Sequence, residues 1–291
     1  MRTKKNLMTR RQMISRTAAT AGCLALSSVF APLFADEKQR RFKIGACEWS
    51  LRKGDPSSFD VAKQIGLDGV QVNMGSVGNQ MHLRQPAVQQ AYLDAAKKAG
   101  VAISSLALAE LNNIPLKSDP QAEQWLADSV AVMQALGVKI VLVAAFSKGD
   151  LVGDKAGVDH TVEVLKRLAP RAEKAGVIFG LENYLSAEEN LDILRRVGSP
   201  TVQVYYDVGN STDKGYDIYK EIRMLKGKVC EFHAKDGDFM LGQGRIDFQK
   251  VRQAIDDIGF SGWIQIEAAA PHDLVGDYQK QSNFLKGVFN A

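Results

Sequence analysis

Cysteine is scarce in this chain, with only Cys23, Cys47 and Cys230 among 291 residues. That excludes a disulfide-stapled scaffold, and a chain of this length can bury one large core without covalent cross-links. Cys47 and Cys230 each lie in an apolar run that reads as a strand, so both are expected as buried, unpaired thiols. Histidine is nearly as rare: His82, His160, His233 and His272. Four are too few for a histidine-rich multinuclear metal centre. The segment after the first apolar run, CEWSLRKGD, is no glycine-rich phosphate loop, which weighs against a dinucleotide-binding open sheet. No Pro- or Ser-rich linker and no shift in composition marks a second folded domain.

Acidic residues are absent from the first 35 positions, which hold six basic ones: Arg2, Lys4, Lys5, Arg10, Arg11 and Arg16. Setting these aside leaves 31 basic against 33 acidic residues, a net of −2 in place of the full chain's +4. A basic nucleic-acid footprint therefore belongs to the leader and not to the body, so no nucleic-acid partner is expected. Arg10-Arg11 stands before the modestly apolar run TAATAGCLALSSVFAPLFA. This resembles a twin-arginine export signal. The run is too short and too rich in small residues for a comfortable membrane span. Residues 1–35 are expected to be removed near Ala35, leaving 36–291 in the periplasm or another extracytoplasmic space, without stable membrane insertion.

What is present is regular alternation. Apolar runs at 42–47, 68–73, 101–108, 138–145, 177–182, 201–207, 228–234 and 262–267 read as strands. Amphipathic segments ending near Ile65, Gly100, Gly137 and Gly176, then about 187–197, 215–226, 247–258 and 277–289, read as helices. Eight strand–helix units in about 250 residues are the arithmetic of an α/β protein with a (β/α)8 TIM barrel.

Four strand ends carry metal-type ligands: Glu182, Asp207, His233 and Glu267. Parallel strands deliver all four to one end of a barrel. Counting back by twos gives the inward positions Gly180 and Ile178, Tyr205 and Gln203, Glu231 and Val229, Gln265 and Trp263. The alternate set, Phe179, Leu181, Val204, Tyr206, Cys230, Phe232, Ala234, Ile264 and Ile266, is almost wholly apolar and suits burial under helices. One imidazole and three carboxylates form a hard, oxygen-rich set for one divalent ion, Mn²⁺ ahead of Mg²⁺, Co²⁺ or Zn²⁺. Gln265, Tyr205 and Glu231 lie one layer below it. Around the mouth stand Glu48, Trp49, Asn73, Phe146, Lys148, Tyr184, Asn210, Lys235 and His272 as candidates to touch substrate. Trp49, Phe146 and Tyr184 could stack on a sugar ring, and Lys235 could polarise a carbonyl.

The order Glu, Asp, His, Glu on strands five to eight resembles the sugar isomerase/epimerase superfamily with xylose-isomerase-like barrels. The likeness covers about 42–290. It is most specific in His233-Ala-Lys235-Asp236, in Leu241-Gly242-Gln-Gly244-Arg-Ile-Asp247-Phe248 and in Gly262-Trp263-Ile-Gln-Ile-Glu267. The resemblance implies that Glu182 and Glu267 are both metal ligands and the acid/base pair, with Asp207 and His233 as plain ligands. Ketose 3-epimerases of this group carry a histidine where Asn210 stands and an arginine where Phe239 stands; many members have a glutamate at the Gln71 position. Those departures point away from ketohexose 3-epimerisation.

Three functions follow as expectations. The first is a metal-dependent isomerase or epimerase that removes a proton next to a carbonyl of an unphosphorylated sugar or hydroxyketone. The second is a lyase or hydratase acting on 3-keto glycosides with the same site. The third is a non-catalytic sugar-binding barrel, which should have lost a ligand and has lost none. The partner in each case is a small-molecule sugar, and a homo-oligomer is compatible with the sequence.

Overall fold

The computed structural model describes residues 41–289, and the leader lies outside them. Eight parallel strands close a barrel in sequence order, with β8 returning to pair with β1. They are β1 Phe42–Cys47, β2 Gly69–Asn73, β3 Ala102–Leu108, β4 Ile140–Ala145, β5 Ile178–Asn183, β6 Val202–Asp207, β7 Val229–Ala234 and β8 Gly262–Ile266. The outer helices are α1 Ser58–Ile65, α2 Pro86–Ala99, α3 Pro120–Leu136, α4 Lys155–Ala175 and α5 Ala187–Val197. After β6 come the short α6 Val208–Asp213, then α7 Ile218–Leu225, α8 Phe248–Asp257 and α9 Leu274–Phe289. Sequence patterning locates every one of these strands and outer helices to within a few residues. It misses α6, a six-residue turn of helix packed straight onto the end of β6.

Local signals explain the boundaries. Asp119 accepts from Gln121 N ahead of Pro120, Asp154 from Gly157 N, and Ser186 and Glu189 form a reciprocal capping box. α3 and α4 stop at Gly137 and Gly176, both with φ near +70°, where a side chain would be strained and the chain turns into the next strand. Among the described residues no helix is long and apolar enough to cross a membrane.

Two apolar clusters follow from the two faces of the strands. The larger lies between barrel and helices and takes Phe179, Leu181, Val204, Tyr206, Phe232, Ala234, Ile264 and Ile266, as the period-two count requires. The smaller fills the barrel with Ala107, Leu142, Ala144, Tyr205 and Cys230. Cys230 and Val229 break the count. β6 and β7 pair Val204 with Val229 but Tyr205 with Glu231, so β7 holds one extra residue there. Such a bulge reverses the parity below it. Cys230 therefore turns inward, where a Cβ on Gly180 would sit 2.7 Å from its sulfur, and Val229 turns outward. Both Cys47 and Cys230 are buried and unpaired.

Candidate metal centre and active site

The strand ends bring Glu182, Asp207, His233 and Glu267 together, with one ligand atom from each lying within 4.8 Å of all the others. β6 and β7 pair Asp207 directly with His233, and Glu267 N donates to Ala234 O at 3.0 Å, which brings the end of β8 alongside. His233 Nδ1 stands 2.7 Å from Glu182 Oε1 and 3.6 Å from Glu267 Oε2. Asp207 Oδ1 accepts from Gly209 N at 2.7 Å and Asn210 N at 2.9 Å, capping α6. Its other oxygen, Oδ2, is buried without a partner.

The carboxyls are poorly solvated and titrate accordingly. Burial, then the charges of Glu267 and Glu182, raises Asp207 to about 7. Burial likewise raises Glu182, against the pull of His233. Glu267 is partly buried, which pushes it up, but His233, Lys235 and the Trp49 indole outweigh that effect and hold it below the usual glutamate range. Trp49 Nε1 donates to Glu267 Oε1 at 2.8 Å and Lys235 Nζ to Oε2 at 3.4 Å. Burial pulls His233 down, but Cys47, Glu182 and Glu267 together push it well above an ordinary histidine.

Above the four ligands lies a cavity of about 340 Å³, lined among others by Trp49, Asn73, Asn112, Phe146, Tyr184, Asn210 and Lys235. Phe146 and Tyr184 pack with centroids 4.6 Å apart, and Lys214 Nζ sits 4.1 Å over the Tyr184 ring. Trp49, Phe146 and Tyr184 thus all line the cavity. A roomier surface hollow of about 540 Å³ lies between the starts of α4 and α5, lined by residues such as Asp154, Lys155, Glu188 and Arg196. No metal-type ligand set gathers in it among the described residues, so we place the candidate site in the smaller cavity.

Three expected substrate contacts do not line that cavity. Glu48 is 1% exposed beneath the mouth, where its carboxylate accepts from Asn73 N at 2.9 Å and the Tyr92 hydroxyl at 3.2 Å. Lys148 is exposed on a short turn after β4, because the chain there winds outward over Ser147–Gly149. His272 is exposed and pairs with Asp277 at 3.2 Å, fastening the start of α9. His82 bonds Asn79 and Tyr92 instead of reaching the site.

Other residues escape sequence reasoning. Asn112 lines the cavity and accepts from Phe146 N at 3.0 Å; a lone asparagine in a loop gives no signal of that role. Gly209 lets α6 approach β7 closely, since a Cβ there would sit 2.7 Å from the Lys235 Cβ. Asp236 is 2% exposed and accepts from Gly242, Gly244, Arg245 and Ile246 N at 2.9–3.1 Å. The glycine-rich run following it is thus a loop wound around one carboxylate.

Comparison with known proteins agrees with this architecture. Residues 59–288 match the xylose isomerase-like TIM barrel family. The chain is 28% identical over 197 residues to 2-epi-5-epi-valiolone 7-phosphate 2-epimerase of Actinoplanes sp., covering 67% of this chain and 73% of that protein. D-allulose 3-epimerase of Methylomonas sp. superposes with a TM-score of 0.71 at 18% identity, over 86% of this chain and 98% of the other. The 3-keto-D-glucoside 4-epimerase YcjR of E. coli gives 0.72 at 13% identity, over 84% and 99%. By its matched span and its closed eight-stranded barrel, the chain belongs to the xylose isomerase-like TIM barrel family.

Proposed function

We propose that the chain is a divalent-metal-dependent sugar epimerase in which Glu182, Asp207, His233 and Glu267 hold the ion, and Glu182 and Glu267 also move the proton. The observation that carries this reading is Asp207 Oδ2. It is a buried carboxylate oxygen without a partner, in a cluster with one histidine nitrogen and two more carboxylate oxygens. Gathering three carboxylates away from water is costly unless a cation joins them. Ligand bonds of about 2.0–2.4 Å to one centre suit atoms this close together. The donor set fits Mn²⁺ first, with Mg²⁺, Co²⁺ or Zn²⁺ as substitutes. A bound ion would polarise a sugar carbonyl and acidify the neighbouring C–H.

The chain's own groups supply the rest. Glu182 and Glu267 both line the cavity, so one can take a proton from substrate carbon while the other returns one. Lys235, beside Glu267, offers positive charge to a developing oxyanion. Phe146, Tyr184 and Trp49 offer apolar faces to sugar C–H groups, and Asn73, Asn112 and Asn210 offer neutral hydrogen bonds. Among the described residues Lys235 is the sole cation lining the cavity, and it is already bonded to Glu267, which favours an unphosphorylated sugar or hydroxyketone. The Actinoplanes relative, by its name, acts on a 7-phosphate; among the described residues this wall offers such a group no second cation.

A second reading, elimination from a 3-keto glycoside, has one specific support. Phe239, where ketose 3-epimerases carry an arginine, is 56% exposed and absent from the cavity wall. One experiment separates the two. Metal-loaded protein is incubated in D₂O with free ketoses and with 3-keto glycosides. Deuterium entering one sugar carbon without loss of mass supports the epimerase, and release of the aglycone supports the lyase. Glu182→Ala or Glu267→Ala should lower either activity by on the order of 10²–10⁴-fold. Full activity in both variants, or wild-type protein that binds no divalent metal, would sink the mechanism. We also propose export by the twin-arginine route. Replacing Arg10 and Arg11 by lysine should then hold the protein in the cytoplasm, and unchanged export would reject that route.

A further inference from the structure

The neutral side chains of the cavity wall differ in how freely they can turn, and Asn112 is the most constrained of them. It ends a short 3₁₀ turn, Ala109–Asn112, that follows β3, and it lines the cavity. Phe146 N, the first backbone amide past β4, donates to its Oδ1 at 3.0 Å. A backbone N–H can only donate, so the side-chain atom that faces it must be the oxygen. The amide cannot flip without breaking this bond, and Nδ2 keeps both of its hydrogens. Nothing among the described residues accepts from Nδ2, and it is not shut away from solvent. The other wall amides are held less firmly. Asn73 Oδ1 takes a long bond of 3.4 Å from Gly75 N, and among the described residues no bond fixes the Asn210 side chain. Topology places Asn112 well away from the proposed ligands. Eight strands closed in sequence order put β3 four places from β7 in either direction. Asn112 therefore stands across the mouth from His233 and Lys235.

We infer that Asn112 is a specificity-determining residue: it presents a fixed N–H donor to the end of the sugar farthest from the carbonyl, and so selects substrates with an accepting oxygen there. The inference rests on reading the cavity as a sugar site; the orientation of the amide does not. A sugar whose carbonyl lies at the β5–β8 side of the mouth extends its far end toward β3. A hydroxyl or ether oxygen at that end accepts from Nδ2. A methyl group in its place displaces water from Nδ2 and offers no acceptor, so the donor is left unpaired. Asn112→Asp turns the requirement around. One carboxylate oxygen still accepts from Phe146 N, while the other now faces the sugar as an acceptor. A hydroxyl can meet it by donating its hydrogen, but an ether oxygen cannot.

The probes are D-fructose, 6-deoxy-D-fructose and 6-O-methyl-D-fructose, bound in excess Mg²⁺ to wild type and to Asn112→Asp. Calorimetry gives the dissociation constants, and ¹⁵N-edited NMR follows the Asn112 Nδ2–H₂ pair, identified by its loss in the variant. In wild type this pair should shift with D-fructose and with the O-methyl sugar, and not with the deoxy sugar. Asn112→Asp should weaken the O-methyl sugar roughly 5- to 20-fold more than D-fructose. Each sugar's own ring equilibrium is the same for both proteins and cancels from that comparison. Asn210→Asp, which adds the same charge elsewhere on the wall, should weaken the two sugars alike. An Asn112 pair that D-fructose binding does not move, or equal weakening of the two sugars in Asn112→Asp, would overturn the inference while leaving the sugar site intact. Wild type that binds none of the three sugars would overturn the sugar reading and this role with it. The amide's orientation is checked without sugar: the Phe146 N–H resonance should keep its hydrogen-bonded shift in Asn112→Asp and lose it in Asn112→Ala.

Discussion

Glu48 closes β1 with its carboxyl group out of water, and burial raises it from 4.5 to about 8 despite bonds from Asn73 N and the Tyr92 hydroxyl. The folded protein therefore holds this proton over a pH range in which the unfolded chain has released it. The folded state binds more protons there, so stability is greatest below pH 4.5 and declines as pH rises toward 8, by at most about 1.4 kcal/mol per unit from this group. Glu48→Gln keeps an acceptor for Asn73 N and removes the titration. Melting curves at pH 5.5, 6.5 and 7.5 should show wild type losing stability with pH more steeply than the variant. Parallel curves would mean that Glu48 ionises normally. The residue scale also shows why a mouth position is hard to assign from sequence. Glu48 and Trp49 are adjacent, yet one is buried against Tyr92 while the other bonds Glu267.

At the scale of elements, the loop after β7 is held by Asp236, which satisfies four backbone N–H groups at once. Asp236→Ala would leave these donors without an acceptor in a partly buried loop. The expected cost is on the order of 2–4 kcal/mol, and Lys235, next in the chain, should lose its placement. A fall in melting temperature with earlier proteolytic cleavage within 237–246 would show this; a variant as stable and resistant as wild type would refute it. The barrel staves carry a comparable constraint at Gly69, where an added Cβ would lie 2.6 Å from the Trp263 ring and 3.1 Å from Ala102 O. Gly69→Ala should destabilise by about 1–3 kcal/mol through overpacking, measured by denaturant unfolding. Strands and helices were legible in the sequence because burial on both faces gives unbroken apolar runs, and because caps and glycines punctuate the helices. The bulge at Cys230 was not, since one extra residue in β7 leaves no mark on composition.

For the molecule as a whole, closing the barrel gathers Glu182, Asp207, His233 and Glu267 in one place. If a divalent ion binds the four strand-end ligands, it should stabilise the fold by mass action, about 2.7 kcal/mol when free metal is a hundredfold above its dissociation constant. For a domain of this size that corresponds to several degrees in melting temperature. Exhaustive chelation should lower the transition and added Mn²⁺ should restore it. The Asp207→Asn variant should show a much smaller response. An identical melt with and without chelator would argue against the ion.

The sequence by itself determined the count of strand–helix units, their order, the parity of most strands and therefore which end of the barrel gathers Glu182, Asp207, His233 and Glu267. These follow from periodicity, which is local and survives in one dimension. Only the tertiary structure decided which mouth residues face the cavity and which turn away, as Asn112 and Lys235 do against Lys148 and His272. It alone decided that Asp236 is a loop anchor, that Gln71 bonds Tyr205 across the barrel and that Glu231 bonds Ser105 and Gln265. Those placements depend on contacts between residues far apart in the chain, such as Gln71 and His233, 162 positions apart. Loop conformation and strand register set such contacts, and neither leaves a periodic trace in the chain.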